Sequence, residues 1–290
     1  MANPAAQTAY GPMISVAIEQ GYPPEQRLVQ DELAIQFLPS IYKAIVNLTR
    51  SPSFREWMIN LLERRARGVY AGVVCRKRYI DDRLLEAVGA GIQAVVILGA
   101  GLDTRLYRLD ALSAMPVFEV DLPENIAYKR NMLQKLYRSI PGNVSLVPLD
   151  FERQDLASAL VSQGYNLDYK SFFVWEAVTQ YLGDDGIQNT MRSLSQAKVG
   201  SRLVFTYILK DFIDGKARYG LDTLYQTYRL KRRLWRFGLE PDHIATFLES
   251  YGWKELEQVG SQEYTSRYLQ PSGRLMPVME IERAVYAEKL

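Results

Sequence analysis

An alternation of short apolar runs and amphipathic segments between residues 94 and 207 predicts an α/β fold, a Rossmann-like doubly wound sheet. Two further observations support it. The first apolar run leads straight into a Gly-x-Gly turn, Leu98-Gly-Ala-Gly-Leu-Asp103. The second run ends close to an acid, Asp121, which stands 22 residues after Gly99.

The elements follow in order. Residues 1–90 read as a helical N-terminal cap, with disorder expected only in the first dozen residues. Ser53-Phe-Arg-Glu56 has capping-box spacing ahead of Trp57, Ile59, Leu61 and Leu62. A helix is predicted from Lys77 to Val88, because Ile80, Leu84, Leu85 and Val88 share a face and Gly89 and Gly91 end it. Ala94–Leu98 lacks alternation, as a parallel strand buried on both faces should. Further strands are read at Pro116–Val120, Val144–Pro148, Ser171–Trp175 and Arg202–Tyr207. Helices fill the intervals, one opened by Pro123, one through Leu156 and Leu160, and one over Asp184–Ala197. Residues 211–240, rich in Tyr and Arg, read as a helical insertion or lid after the fifth strand. Pro241 and Asp242 open another helix, and two strands follow near Trp253–Val259 and Glu280–Tyr286. The domain reading is a single unit over 1–290, with its core at 91–210 and 241–290.

Composition narrows the function. The chain has 290 residues, 48% hydrophobic and 23% charged, an ordinary globular balance. A net charge of +2 does not suggest a nucleic-acid or membrane surface, and no apolar run has the roughly 18 residues of a membrane span. No signal peptide is read at the N-terminus, so a cytoplasmic protein is expected. One cysteine, Cys75, excludes an intrachain disulfide, and one histidine, His243, excludes a His-cluster metal site; no metal is expected. Cys75 reads as a small buried residue, and His243 as exposed on the first turn of its helix.

Gly99 and Gly101 let the backbone turn tightly and approach a ligand. An acid about 20 residues on, at a strand end, is placed to accept from ribose hydroxyls. The third glycine of a dinucleotide fingerprint is replaced by Thr104, and Asp103 would repel a pyrophosphate at the helix N-terminus. S-adenosylmethionine, which has a ribose but no phosphate, fits better than NAD. Asp150 and Phe151, after the third strand, stand where an adenine would be held. Glu176 ends the fourth strand on the same rim, and buried there it needs a ligand or an arginine as partner.

These residues resemble the leucine carboxyl methyltransferase superfamily. Arg76-Lys-Arg-Tyr-Ile-Asp-Asp82, Val95–Leu109 with its Gly-Ala-Gly-Leu-Asp-Thr-Arg core, Phe118-Glu-Val-Asp-Leu-Pro123 with Lys129, and Trp175-Glu-Ala-Val-Thr-Gln-Tyr-Leu182 carry the resemblance. Gly238-Leu-Glu-Pro241 and Arg267-Tyr-Leu269 are similar to its bacterial branch. The resemblance implies a class I methyltransferase fold and S-adenosylmethionine as methyl donor. It implies that Arg76 or Arg78 holds the methionine carboxylate, that Gly99 and Gly101 form the turn and that Asp121 meets the ribose. Asp150 and Phe151 would flank adenine and Glu176 would approach the amino group. Ala100, Asp103, Leu122 and Ala177 adjoin these positions and complete the candidate cofactor set. The family includes enzymes that methylate a phosphatase C-terminal carboxylate or polyketide carboxylates, and this chain looks closer to its small-molecule branch.

The expected partner is therefore a small-molecule acceptor, most simply a carboxylic acid of secondary metabolism. A carboxylate is ionised near neutral pH and needs no general base, which suits a chain with one histidine. Arg267 is the leading candidate to bind it, with Tyr181, Tyr207 and Tyr264 lining the pocket. O-methylation of a phenol or alcohol, and a cofactor-binding interaction protein without turnover, are the competing readings.

Overall fold

A computed structural model describes residues 10–290. The cap comprises α1 (Tyr10–Glu19), α2 (Ser40–Leu48), α3 (Pro52–Arg65) and α4 (Val69–Gly89). The core runs β1 (Ala94–Leu98), α5 (Arg105–Arg108), β2 (Val117–Asp121), α6 (Pro123–Tyr137), β3 (Val144–Pro148), α7 (Leu156–Ser162), β4 (Ser171–Trp175), α8 (Asp184–Leu194) and β5 (Arg202–Ile208). Two short helices, α9 (Lys210–Ile213) and α10 (Asp222–Leu224), lie in the insertion. The chain closes with α11 (Ile244–Glu249), β6 (Trp253–Val259), α12 (Ser261–Tyr264) and β7 (Glu282–Lys289).

Among the described residues the strands form one seven-stranded sheet in the order β3-β2-β1-β4-β5-β7-β6. The first five are parallel, and β7 pairs antiparallel with both β5 and β6. Strand side chains alternate between faces, so Val95 and Ile97 enter one hydrophobic core while Ala94, Val96 and Leu98 enter the other. Both faces are thus covered, which explains why the β1 segment shows no polar alternation. Strand order reverses between β1 and β4, which opens a crevice at their carboxyl ends.

The chain departs from the sequence reading in the cap. Residues 1–9 lie outside the described residues, but Tyr10 to Pro12 belong to a helix rather than to a disordered start. Ser53 lies inside α3 behind Pro52, so the helix begins too early for a Ser53–Glu56 capping box; Ser51 holds the cap position without a side-chain bond. The helix expected from Lys77 starts eight residues earlier, at Val69, because Tyr70 to Arg76 are buried on every side and show no amphipathic stripe. The insertion is less helical than expected. After α10 it forms a π-helical stretch, Tyr225–Lys231, and irregular chain.

Candidate functional site

A cavity of about 520 Å³ opens at the carboxyl ends of β1 to β4. The glycine turn forms its floor. Gly99 and Ala100 both donate N–H bonds to Val120 O, at 2.8 and 3.0 Å, tying the turn to β2. Gly99 has φ +71°, and a Cβ there would overlap Val178 Cγ2 across the cavity floor, so only glycine fits. Gly101, with φ +45°, donates its N–H to Asp121 Oδ2 at 2.6 Å. The other oxygen of Asp121 accepts from Leu122 N and Asn125 Nδ2, each at 2.7 Å. Burial raises the Asp121 carboxyl above its usual range, against the pull of these hydrogen bonds. The three donors take one lone pair each, which fixes the side chain and leaves a fourth for a ligand.

On the adjoining rim, Asp150 caps its own turn by accepting from Glu152 N at 3.0 Å, with Phe151 buried beside it. Glu176 ends β4 and meets three cations. Arg76 Nε lies 2.8 Å from Oε1, while Arg105 NH1 and Lys77 Nζ lie 2.8 and 3.1 Å from Oε2. Burial works to raise the Glu176 carboxyl, but the Lys77, Arg105 and Arg76 charges outweigh it and hold it well below the ordinary carboxylate range. The next residue, Ala177, takes the left-handed conformation (φ +56°), held by its N–H bond to Thr206 Oγ1 at 2.7 Å.

Behind this rim the charges interlock. Arg76 also reaches Glu282 of β7 at 2.6 Å, which ties the cap to the sheet. Arg105 pairs with Asp103 and, at 2.8 Å, with Asp81; Arg108 reaches the second oxygen of Asp81 at 2.6 Å. Lys129 pairs with Glu119 and donates to Asp103 O at 2.8 Å. Burial opposes ionisation of Asp103, yet Arg105 and Lys77 pull its carboxyl far below the ordinary range. Asp103 is therefore an internal anchor of the Gly-Leu-Asp-Thr-Arg segment.

The cavity brings together Arg76, Gly99, Ala100, Gly101, Asp103, Asp121, Leu122, Asp150, Phe151, Glu176, Ala177 and Tyr181. Four expected site residues lie elsewhere. Arg78 turns outward to Asp82 at 2.7 Å and to Leu28 O, which leaves Arg76 facing the cavity. Arg267 pairs with Glu257 of β6, Tyr207 donates to Gln258 of β6, and Tyr264 packs on Tyr79 with ring centroids 6.1 Å apart. For Arg267 and Tyr207 the reason is topological: β6 is an edge strand, separated from β4 by β5 and β7, so side chains bound to it cannot reach the crevice, while Tyr264 is buried against α4. His243 is exposed, with Nδ1 3.1 Å from Glu240, and Cys75 is fully buried. Sequence reasoning missed Lys77, Asn125 and Glu152 on the cavity wall, and read Arg233 and Arg236 only as part of the Arg- and Tyr-rich lid. Asn125 had a usable signal, one helical turn after Asp121 behind Pro123. Among the described residues, no group of three His, Cys, Asp or Glu side chains is placed to hold a metal ion, and no helix is long and apolar enough to cross a membrane.

The fold is that of a class I methyltransferase scaffold. Residues 9–195 match the family model for leucine carboxyl methyltransferase, and the chain belongs to that family. It is 36% identical over 137 residues to a protein of Mycobacterium marinum named "Putative S-adenosyl-L-methionine-dependent methyltransferase", covering 47% of this chain and 45% of that one. A protein of the same name from Mycolicibacterium gilvum is 35% identical over 159 residues, covering 53% and 51%. The match thus spans about half the length of these curated relatives. Among solved structures, a duf574 family protein from Streptomyces avermitilis superposes with a TM-score of 0.58 at 12% identity, covering 82% of this chain and 91% of that one. A "putative methyltransferase" from Thermobifida fusca gives 0.57 at 17%, covering 81% and 88%. At those identities the likeness is one of fold.

Proposed function

We propose that this protein is an S-adenosylmethionine-dependent O-methyltransferase that esterifies the carboxylate of a small molecule. The observation that carries the reading is the Asp121 carboxylate, locked by Gly101 N–H at 2.6 Å beside a glycine turn that a Cβ would block. That geometry suits a ribose edge held close to backbone. The wall around it sets Asp103, Asp121, Asp150, Glu152 and Glu176 against Arg76, Lys77, Arg233 and Arg236, and Asp121, without an ion pair among the described residues, disfavours a pyrophosphate beside the glycine turn. Arg76 and Lys77, at the same end, are placed for the methionine carboxylate, although both also serve Glu176. Names of the mycobacterial relatives point the same way.

S-adenosylmethionine supplies a methyl group whose carbon–sulfur bond breaks, the electron pair staying on sulfur, as an acceptor oxygen forms the new carbon–oxygen bond. The chain's part in such a displacement is alignment and exclusion of water. A carboxylate needs no proton removed, and the residues fit that economy. Burial pushes the phenols of Tyr207 and Tyr264 up and away from a general-base range, and His243 is exposed outside the cavity. Tyr181 and Leu182 offer the acceptor an aromatic and an aliphatic wall.

Calorimetric titration with S-adenosylmethionine and with NAD, on wild type and Asp121→Ala, tests the cofactor. We expect S-adenosylmethionine binding in wild type, a loss of at least tenfold in the variant (about 1.4 kcal/mol or more), and no NAD binding. No S-adenosylmethionine binding to folded wild type overturns the proposal. A methyl-transfer screen of carboxylic acids against phenols then separates the acceptor classes; ethers from phenols without esters from acids would replace the carboxylate reading.

A further inference from the structure

The cations on the cavity wall differ in how they are used. Arg76 and Lys77 are tied to Glu176, and Arg236 is tied to Glu152 at 2.6 Å and to Tyr181 O at 2.7 Å. Arg233 lines the same cavity and, among the described residues, has neither an ion pair nor a side-chain hydrogen bond. Its backbone is left-handed, φ +51°, a conformation that side chains with a Cβ rarely adopt. The surrounding chain enforces it. Leu234 N and Trp235 N both bond to Tyr228 O, at 2.8 and 3.2 Å, and Trp235 stacks on Tyr228 with ring centroids 5.0 Å apart and planes 16° from parallel. Trp235 is itself buried in a cluster with Phe212, Tyr225, Ile208 of β5 and Ile281. A strained, exposed arginine at the cavity rim, held by well-packed neighbours and without a side-chain partner among the described residues, is the pattern of a ligand clamp.

We propose that Arg233 is the specificity-determining anion anchor for the methyl acceptor, a carboxylic acid with an apolar body. The inference rests on the methyltransferase reading above and extends it to the acceptor. The acidic residues cluster at the strand ends, where a cationic donor belongs, while Arg233 and Leu234 approach from the insertion. An incoming acid meets a free guanidinium, which can take a carboxylate through two parallel N–H bonds, and then the Leu234, Tyr181 and Leu182 surfaces. Because its partner is the ligand itself, Arg233 selects anionic over neutral acceptors of the same shape.

The test titrates 1-naphthoate, and separately its neutral methyl ester, into the full chain saturated with S-adenosylhomocysteine. Wild type is expected to bind the acid, and Arg233→Gln to bind it at least tenfold more weakly with unchanged affinity for ester and S-adenosylhomocysteine. Arg233→Lys should fall between them. Arg233→Gly, which relaxes the left-handed backbone, should lose acid affinity like the glutamine variant while melting no lower than wild type. Unchanged acid binding in Arg233→Gln, an equal loss for acid and ester, or no acid binding by wild type loaded with S-adenosylhomocysteine would each overturn the anchor. Failure of wild type to bind S-adenosylhomocysteine instead overturns the methyltransferase reading and takes this inference with it.

Discussion

Two backbone positions at the site show how a single residue shapes the cavity. Gly99 sits where a side chain would collide with Val178 and where φ is +71°. Gly99→Ala therefore meets two separate penalties, the left-handed conformation, about 1–2 kcal/mol, and the overlap with Val178. We expect the variant to melt lower and to lose S-adenosylmethionine affinity at least tenfold. The companion Gly99→Ala/Val178→Ala should recover the part due to overlap and leave the part due to φ. If the double variant is no better than the single, the loss lies wholly in the backbone. The glycines, Asp121 and Glu176 were legible in the sequence because a strand end followed by Gly-x-Gly admits few structures. Arg267 and Tyr264 misled because residue type alone says nothing of tertiary placement: the β6 edge holds Arg267 away from the crevice, and Tyr264 is buried against Tyr79 of α4.

Elements whose burial follows a simple period were readable in the same way. β1, β3, β4 and β6 match their predicted spans residue for residue, each bounded by a turn or a helix start. α4 was recognised only over its amphipathic half, since its first two turns are buried all round and offer no stripe to detect. Residues 211–240 follow β5, and their conformation depends on tertiary contacts. Phe212, Tyr225 and Trp235 share a small core with Ile208 of β5 and with Met279 and Ile281, and Tyr181 packs against it. That core lies at the β5 side of the sheet, with β4 between it and β1, so loosening it is expected to leave β1 undisturbed. Trp235→Ala should remove the stack on Tyr228 and cost on the order of 3 kcal/mol locally. Hydrogen exchange is then expected to quicken for amides of 225–236, with protection of β1 unchanged and S-adenosylhomocysteine still bound. Equal acceleration in β1 would show that the insertion and the sheet open together.

At the scale of the whole molecule, the buried charges make stability depend on pH in two opposed ways. Glu176 and Asp103 have folded-state pKa values held well below their ordinary ones by the surrounding cations. Their contribution is fully present above the unfolded pKa near 4 and is lost as pH falls below it, because the unfolded chain then binds protons that the folded chain excludes. Glu119 behaves oppositely. Burial, only partly offset by Lys129 and the Tyr107 hydroxyl, raises it from 4.5 to about 7. Between those values the folded state holds the proton and the unfolded state does not, so stability declines as pH rises through this window, by on the order of 2–3 kcal/mol. Buried Asp31, Asp121 and Glu282, also raised, add to the same slope. The melting temperature should therefore peak on the mildly acidic side, near pH 5, and fall in both directions. Glu119→Gln should flatten the decline toward pH 7 and leave the acid side intact. Glu176→Gln should do the reverse, and it should also lower melting at every pH by leaving Arg76, Lys77 and Arg105 without the anion they share, a cost of about 3 kcal/mol. A melting curve that rises steadily from pH 5 to pH 8 in wild type would show that Glu119 is ionised against Lys129 throughout, and that the acid limb alone governs the protein.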